Sequence, residues 1–237
     1  MTNVLITGAA GGIGQALVNV FARNRELKII ALSRSKPALE TLQLEIRSKF
    51  DRSIDIIELD LEKPDFEDEV FTRVNRDYGS LTYLINNAGS LINKPFESTT
   101  KEDMERQMCV NYFAPFKLIQ VLMPLFRKSQ DHPHVVNIGS MGGFQGSSKF
   151  PGLSSYSSSK AAISSLTECL AFEYKAQRIS FNCLALGSAN TEMLRQAFPD
   201  YTSKMEADRI AEFIADFVQN GFEFFNGKVI PVAGIET

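Results

Sequence analysis

The sequence predicts an α/β fold of three layers: a doubly wound parallel sheet of about seven strands, with helices on both faces. Three observations lead there. Short apolar runs bounded by turn residues recur along the chain, as in strands buried on both faces. Segments long enough for helices separate most of them, a β-α-β-α rhythm. The first run opens at once into a glycine-rich stretch.

The runs are Val4–Thr7, Lys28–Leu32, Ile54–Leu59, Leu81–Ile85, His134–Ile138, Ile179–Leu184 and Lys228–Val232. Between the fourth and fifth, Met104, Met108, Leu118, Leu122 and Leu125 recur at helical spacing, with Asn111 on the same stripe. Pro115 removes an amide donor inside this pattern and predicts a kink near Asn111. Cys109, Phe113 and Phe116 make the opposite side apolar too, so either the core or a second subunit covers it. After Tyr156 a second helix presents Ile163, Leu166, Leu170 and Tyr174 on one face. The one loop-rich stretch of note is Gly139–Ser155.

The 237 residues suit one domain, taken as 1–237. Hydrophobic residues make up 44% and charged residues 22%, an ordinary globular balance. A formal net charge of −3 offers no basic field for nucleic acid. Cys109, Cys169 and Cys183 lack metal-ligand spacing and read as buried thiols of a reducing compartment. No metal site is expected, and His132 and His134 read as structural or surface residues. No leader pattern and no run near the roughly 20 apolar residues of a membrane span is recognised, so the expectation is a cytoplasmic protein without membrane attachment.

Thr7-Gly8-Ala9-Ala10-Gly11-Gly12-Ile13-Gly14 joins the first strand to the first helix. Glycines let a backbone turn tightly beside a pyrophosphate, and a helix N-terminus offers it free amides, as in a Rossmann-type dinucleotide site. Gly8, Gly12, Ile13 and Gly14 are the candidates; an ordinary strand-to-helix turn is the alternative. A P-loop is disfavoured, because no Gly-Lys-Ser/Thr ending is present. The second strand ends Leu32-Ser33-Arg34-Ser35, without the carboxylate that binds the ribose 2′-hydroxyl of NAD. Ser33 leaves space for a 2′-phosphate and Arg34 can pair with it, which favours NADP(H) over NAD(H) unless Arg34 is a solvated surface residue.

Further markers follow in order: Asp60, Asn86-Asn87-Ala88-Gly89, Asn111, Ser140 and Tyr156-x-x-x-Lys160. With Thr7-Gly8-x-x-x-Gly12-x-Gly14, this set resembles the short-chain dehydrogenase/reductase family, in its compact single-domain branch, from about residue 3 to about 232. Tyr156 and Lys160 share a helical face, and a nearby ammonium should lower a phenol's pKa from its free value of about 10. Tyr156 could then exchange a proton with a carbonyl or alcohol, while the Ser140 hydroxyl holds the substrate oxygen. The resemblance implies that Lys160 also holds the nicotinamide ribose and that Asn111 organises a water linking Lys160 to solvent. For Asn111, an amide bonded to a neighbouring strand is the other reading. The resemblance also places Asn87, Ala88 and Gly89 beside the adenosine ribose and Asp60 near the adenine, where a turn or cap role for Asp60 is nearly as good.

The chain departs from the family pattern in places. Leu186-Gly187 stands where Pro-Gly is usual, which should loosen that turn, although Thr191 keeps a hydroxyl for the nicotinamide carboxamide. Met141–Leu153 is longer than usual and should line the substrate mouth. The segment after Thr191 is short, which predicts an open pocket. Phe144, Phe150, Leu153, Met193 and Phe198 would make that pocket apolar, unless they are core. The expectation is an enzyme that reduces a small ketone or aldehyde reversibly. A non-catalytic NADP(H)-binding sensor or assembly partner is the alternative. Family likeness and the two-sided Met104–Leu125 helix predict a homodimer or homotetramer.

Overall fold

The computed structural model describes residues 2–233. Its strands are β1 (Asn3–Thr7), β2 (Lys28–Ser33), β3 (Asp55–Glu58), β4 (Tyr83–Asn86), β5 (His134–Ser140), β6 (Ser180–Leu186) and β7 (Lys228–Val232). They form one sheet in the order β3-β2-β1-β4-β5-β6-β7, every pair parallel. Each expected apolar run is a strand, the last with its bounds unchanged and the others with bounds moved by a residue or two. The helices are α1 (Gly12–Phe21), α2 (Lys36–Phe50), α3 (Phe66–Tyr78), α4 (Lys101–Met108), α5 (Ala114–Phe126), α6 (Ser154–Glu173), α7 (Glu192–Ala197) and α8 (Ala207–Asn220).

The period of two along a strand divides the core. Val4 and Ile6 of β1 face one apolar cluster with Leu17, Phe21, Leu42 and Ile214, from α1, α2 and α8. Leu5 between them faces the other, with Val70, Leu118, Leu122 and Phe126 from α3 and α5. Each such side chain contributes about 1.5–3 kcal/mol by leaving water. Both sheet edges are blunt. β3 has four residues, and β7 carries the exposed Pro231, which lacks an N–H.

Residues Lys101–Phe126 form one continuous helix, broken in phase by a π-helical turn over Cys109–Phe113. The expected irregularity at Asn111 takes this form: Ala114 donates back to the Cys109 carbonyl, and Pro115 has no N–H for the carbonyl of Asn111. By length and apolarity this helix would suffice to cross a membrane, which corrects the reading that no run approaches that. Yet 56% of its most apolar stretch is buried, as in a core helix. The expected stripe is only partly internal. Leu118, Leu122 and Leu125 are buried, whereas Met104, Phe113 and Phe116 are exposed. Of the three cysteines only Cys183 is fully buried, and Cys169 is exposed.

At the opposite end of the sheet from the glycine turn, His134 is wholly buried at the start of β5. Its Nδ1 lies 3.0 Å from the Val218 carbonyl and its Nε2 2.9 Å from Asn182 Nδ2. Burial outweighs the carbonyl and lowers its pKa to about 4. As pH falls from about 6.5 to 4, the unfolded chain gains a proton that the folded chain refuses. Stability is therefore lost across that window, by about 3 kcal/mol at ~1.4 kcal/mol per pH unit. Urea unfolding of His134→Gln should depend less on pH between 7 and 4.5 than that of the parent; equal dependence would show that His134 is not the group responsible.

Candidate active site

The strand order reverses between β1 and β4, and open sheets of this kind bind ligands at such a point, outside the carboxyl ends of the strands. Two turns lie there. Gly8 and Gly12 adopt φ of +66° and +52°, which side chains rarely tolerate. A Cβ on Gly14 would stand 2.1 Å from the Gly8 carbonyl oxygen. The Thr7 hydroxyl accepts from the Asn87 and Ala88 amides, both at 3.0 Å, and Asn87 Nδ2 donates to the Thr7 carbonyl at 2.9 Å. Gly11 precedes α1 without a side-chain cap, so no side chain competes for the first amides of that helix. This tight turn and uncapped helix end fit a pyrophosphate, and Ile13 packs half-buried behind them.

Ser33 ends β2 half-buried, and Arg34 projects beyond it with its guanidinium 3.7 Å from Glu62 Oε1. Asp60 builds a turn: its Oδ1 accepts from the Glu62 amide at 3.0 Å and its carbonyl from Lys63. The turn reading of Asp60 is therefore what its contacts describe.

α6 places Tyr156 and Lys160 one turn apart, and β5 ends at Ser140 facing them. Lys160 is buried and donates to the Ile138 carbonyl at 2.7 Å, with Nζ 6.0 Å from the centre of the Tyr156 ring. The expected lowering of the Tyr156 pKa is not found. Burial pushes the phenol up, and the Ser140 hydroxyl bonded to it opposes that only in part. Burial likewise lowers Lys160 to about 8, against the opposing influence of Cys183. Desolvation dominates at Tyr156, and the Lys160 ammonium is directed at the Ile138 carbonyl. Gly139 makes room for this packing, since a Cβ there would lie 2.7 Å from Cys183 Sγ.

Asn111 is wholly buried. Its Nδ2 donates to the Ser90 carbonyl (2.8 Å) and Ser159 Oγ (2.9 Å), and its Oδ1 accepts from the Ser90 amide (2.8 Å). Its side chain thus clamps the turn after β4 rather than a strand. Gly89 lies between, where a Cβ would stand 3.4 Å from Asn111 Oδ1 and 3.8 Å from Lys160 Nζ.

The far wall corrects one expectation. Leu186 is paired to Ser140 on one side and Val232 on the other, and Gly187 donates to the Val232 carbonyl at 2.8 Å. Leucine here lets the ladder run on, so the turn is tied rather than loosened. The segment after Thr191 also makes contacts beside both turns. Thr191 caps α7 by accepting from Leu194 at 3.3 Å, and its Cγ2 lies 3.3 Å from where a Gly12 Cβ would stand. Met193 reaches toward Gly89, and Asn93 Nδ2 holds the Ala197 carbonyl at 2.9 Å. The short segment is long enough to lie down on both turns. Phe150 is exposed, Leu153 is buried, and Phe144 and Phe198 are half-buried.

Sequence reasoning missed Ser159, Asn93 and Lys149. Lys149 donates to the Gly142 and Phe144 carbonyls and to Ser147 Oγ, all within 2.9 Å, and so ties the long loop after Ser140. No local pattern announces it. Ser159, three residues beyond Tyr156, was within reach of periodicity alone.

The comparisons agree with this arrangement. The family model described as short chain dehydrogenase matches residues 2–202, and the chain belongs to that family. A fatty acyl-CoA reductase from Mycobacterium tuberculosis is 30% identical across 81% of the chain; the chain spans 64% of that relative's length. A 3-oxoacyl-acyl-carrier-protein reductase of Thermotoga maritima is 29% identical across 97% of this chain and 95% of its own. A short-chain dehydrogenase from Escherichia coli complexed with NADPH superposes with a TM-score of 0.89 at 28% identity, covering 97% of this chain and 95% of its own.

The glycine turn makes a testable contrast. Gly14→Ala should cost roughly 2 kcal/mol or more, because its Cβ would overlap backbone. Gly11→Ala, with nothing within 4 Å of its Cβ, should stay within about 0.5 kcal/mol of the parent. Thermal melts without nucleotide measure both, and equal losses would refute the packing argument.

Proposed function

We propose that this short-chain dehydrogenase reduces a small ketone or aldehyde to an alcohol, reversibly and with NADP(H), using Tyr156 as the proton donor. The observation that carries the reading is the shared face of α6 that sets Tyr156 one helical turn from a buried Lys160, whose Nζ lies 6.0 Å from the centre of the phenol ring, beside Ser140 at the end of β5. A raised phenol pKa keeps Tyr156 protonated at neutral pH, the form an acid needs.

Gly8, Gly12, Ile13 and Gly14 would hold the pyrophosphate, and Asn87 to Gly89 would flank the adenosine ribose, with Asp60 near the adenine. Ser33 and Arg34 would take the 2′-phosphate, Lys160 the nicotinamide ribose, and Gly187 and Thr191 the carboxamide side. When bound, the reduced nicotinamide supplies the hydride. Ser140 Oγ accepts from the Gly142 amide at 3.1 Å, which leaves its proton to face the substrate oxygen. Tyr156 gives its proton to that oxygen as charge develops. Lys160 can restore it. The Asn111 carbonyl, denied a donor by Pro115, is the group suited to hold a water on that path. Leu153, Phe144 and Phe198 favour an apolar substrate around the carbonyl, and relatives that reduce acyl thioesters put such compounds in the first panel.

NADPH oxidation against ketones, diketones, quinones and acyl thioesters tests this. Tyr156→Phe should lower turnover by about 10²–10⁴-fold while nucleotide binding persists. Reduction should decline above pH about 8, where Lys160 loses its proton. Turnover unchanged by Tyr156→Phe would refute the mechanism, and turnover mainly with NADH would refute the role of Arg34. Binding without turnover on any compound would favour the non-catalytic reading. The exposed Phe113, Phe116 and Met104 suit a homodimer or homotetramer. Light scattering at micromolar concentration should give a multiple of the chain mass, and a monomer would remove that part of the proposal.

A further inference from the structure

Glu62 stands between two guanidinium groups. Its Oε1 lies 3.3 Å from Arg106 Nε and 3.7 Å from Arg34 Nη1, so the two arginines contend for one oxygen. They come from different elements: Arg34 follows β2, Glu62 follows β3, and Arg106 lies on α4. The carboxylate is pinned at its base, because the Glu62 amide donates to Asp60 Oδ1 at 3.0 Å. α4 is held close by its own continuation, where Cys109 Sγ lies 3.8 Å from the Leu61 carbonyl. The carboxylate is the least exposed of the three side chains, at 32%, against 49% for Arg106 and 65% for Arg34.

The arrangement matters for any anion brought to Arg34. A free Glu62 would cancel the Arg34 charge and repel a dianionic phosphate. A Glu62 held by Arg106 does neither fully, and the three groups together keep a net charge of +1. We propose that Arg106 sets cofactor specificity through Glu62: by holding that carboxylate it leaves Arg34 available to a ribose 2′-phosphate. Arg106 is thus a positioning residue that need not touch the nucleotide. The inference rests on the proposed reading of Arg34 as the 2′-phosphate ligand.

Calorimetric titration of the whole protein with adenosine 2′,5′-bisphosphate and with 5′-AMP tests it without catalysis. Arg106→Ala should weaken the bisphosphate on the order of threefold to fivefold, the effect of one exposed charge pair, and leave 5′-AMP unchanged. Glu62→Gln should strengthen the bisphosphate by a similar factor. The double variant should bind like Glu62→Gln alone, since Arg106 has nothing left to restrain. Arg106→Lys, which keeps the charge, should recover most of the parent's preference. An equal loss from Arg106→Ala in the Glu62→Gln background would overturn the proposal, because Arg106 would then contact the phosphate itself. No loss in either background would overturn it as well. Arg34→Ala separates the two levels. If it abolishes the preference for the bisphosphate while the Glu62 and Arg106 variants do nothing, the inference fails and the Arg34 reading stands. If it changes nothing, both fail.

Discussion

The Thr7 hydroxyl joins two turns that belong to different halves of the fold. It takes the Asn87 and Ala88 amides, Asn87 returns a bond to the Thr7 carbonyl, and the missing side chain at Gly8 lets Ala88 approach. The turn after β1 and the turn after β4 are thereby one body at the point where strand order reverses. The second turn continues through Gly89 and Ser90 to Asn111 and lies beside Lys160. The glycine turn and the Tyr156–Lys160 end of the candidate site are thus tied to one stretch of four residues, Asn87 to Ser90.

Much of this was legible in the sequence. Apolar runs between turn residues marked each strand, because a parallel sheet buries both faces and leaves no polar alternation to confuse the pattern. Tyr156, Lys160 and Ser140 do meet. What stayed hidden depends on phase and on burial. Met104 and Leu118 share a stripe in an ideal helix, but the π turn between them adds a residue to one turn and rotates Met104 outward, where it is exposed. The Tyr156 phenol was expected to be lowered by Lys160. Spacing of four places the groups, but it does not tell that the ammonium faces the Ile138 carbonyl or how little water reaches the ring. Lys149 and the Glu62 pairings join residues whose meeting no local pattern encodes.

The site is held by buried polar groups rather than by apolar packing alone. Asn86 donates to Asn137 at 2.8 Å, Asn137 to Thr167 at 2.9 Å, and Thr167 to the Ile163 carbonyl at 2.8 Å, a chain running from β4 through β5 into α6. It crosses the sheet layer behind the reactive residues and fixes α6 in rotation as well as position, which nonpolar contacts do less sharply. Asn86 Oδ1 has no partner among the described residues, so the chain is satisfied in one direction only. A buried ammonium with a half-buried phenol beside it adds further cost to the fold. Stability given up here is recovered in the two apolar clusters on either side of the sheet.

The blunt edges of the sheet have a consequence for how copies of the chain can meet. A strand added beside β7 would find no donor at Pro231, and one added beside β3 would find only four residues to pair with. Growth of the sheet from molecule to molecule, the usual route to fibrils, is thereby disfavoured at both ends. The exposed apolar side chains Phe113 and Phe116 lie instead on a helical flank, where a contact would be made by side chains rather than by a main-chain ladder.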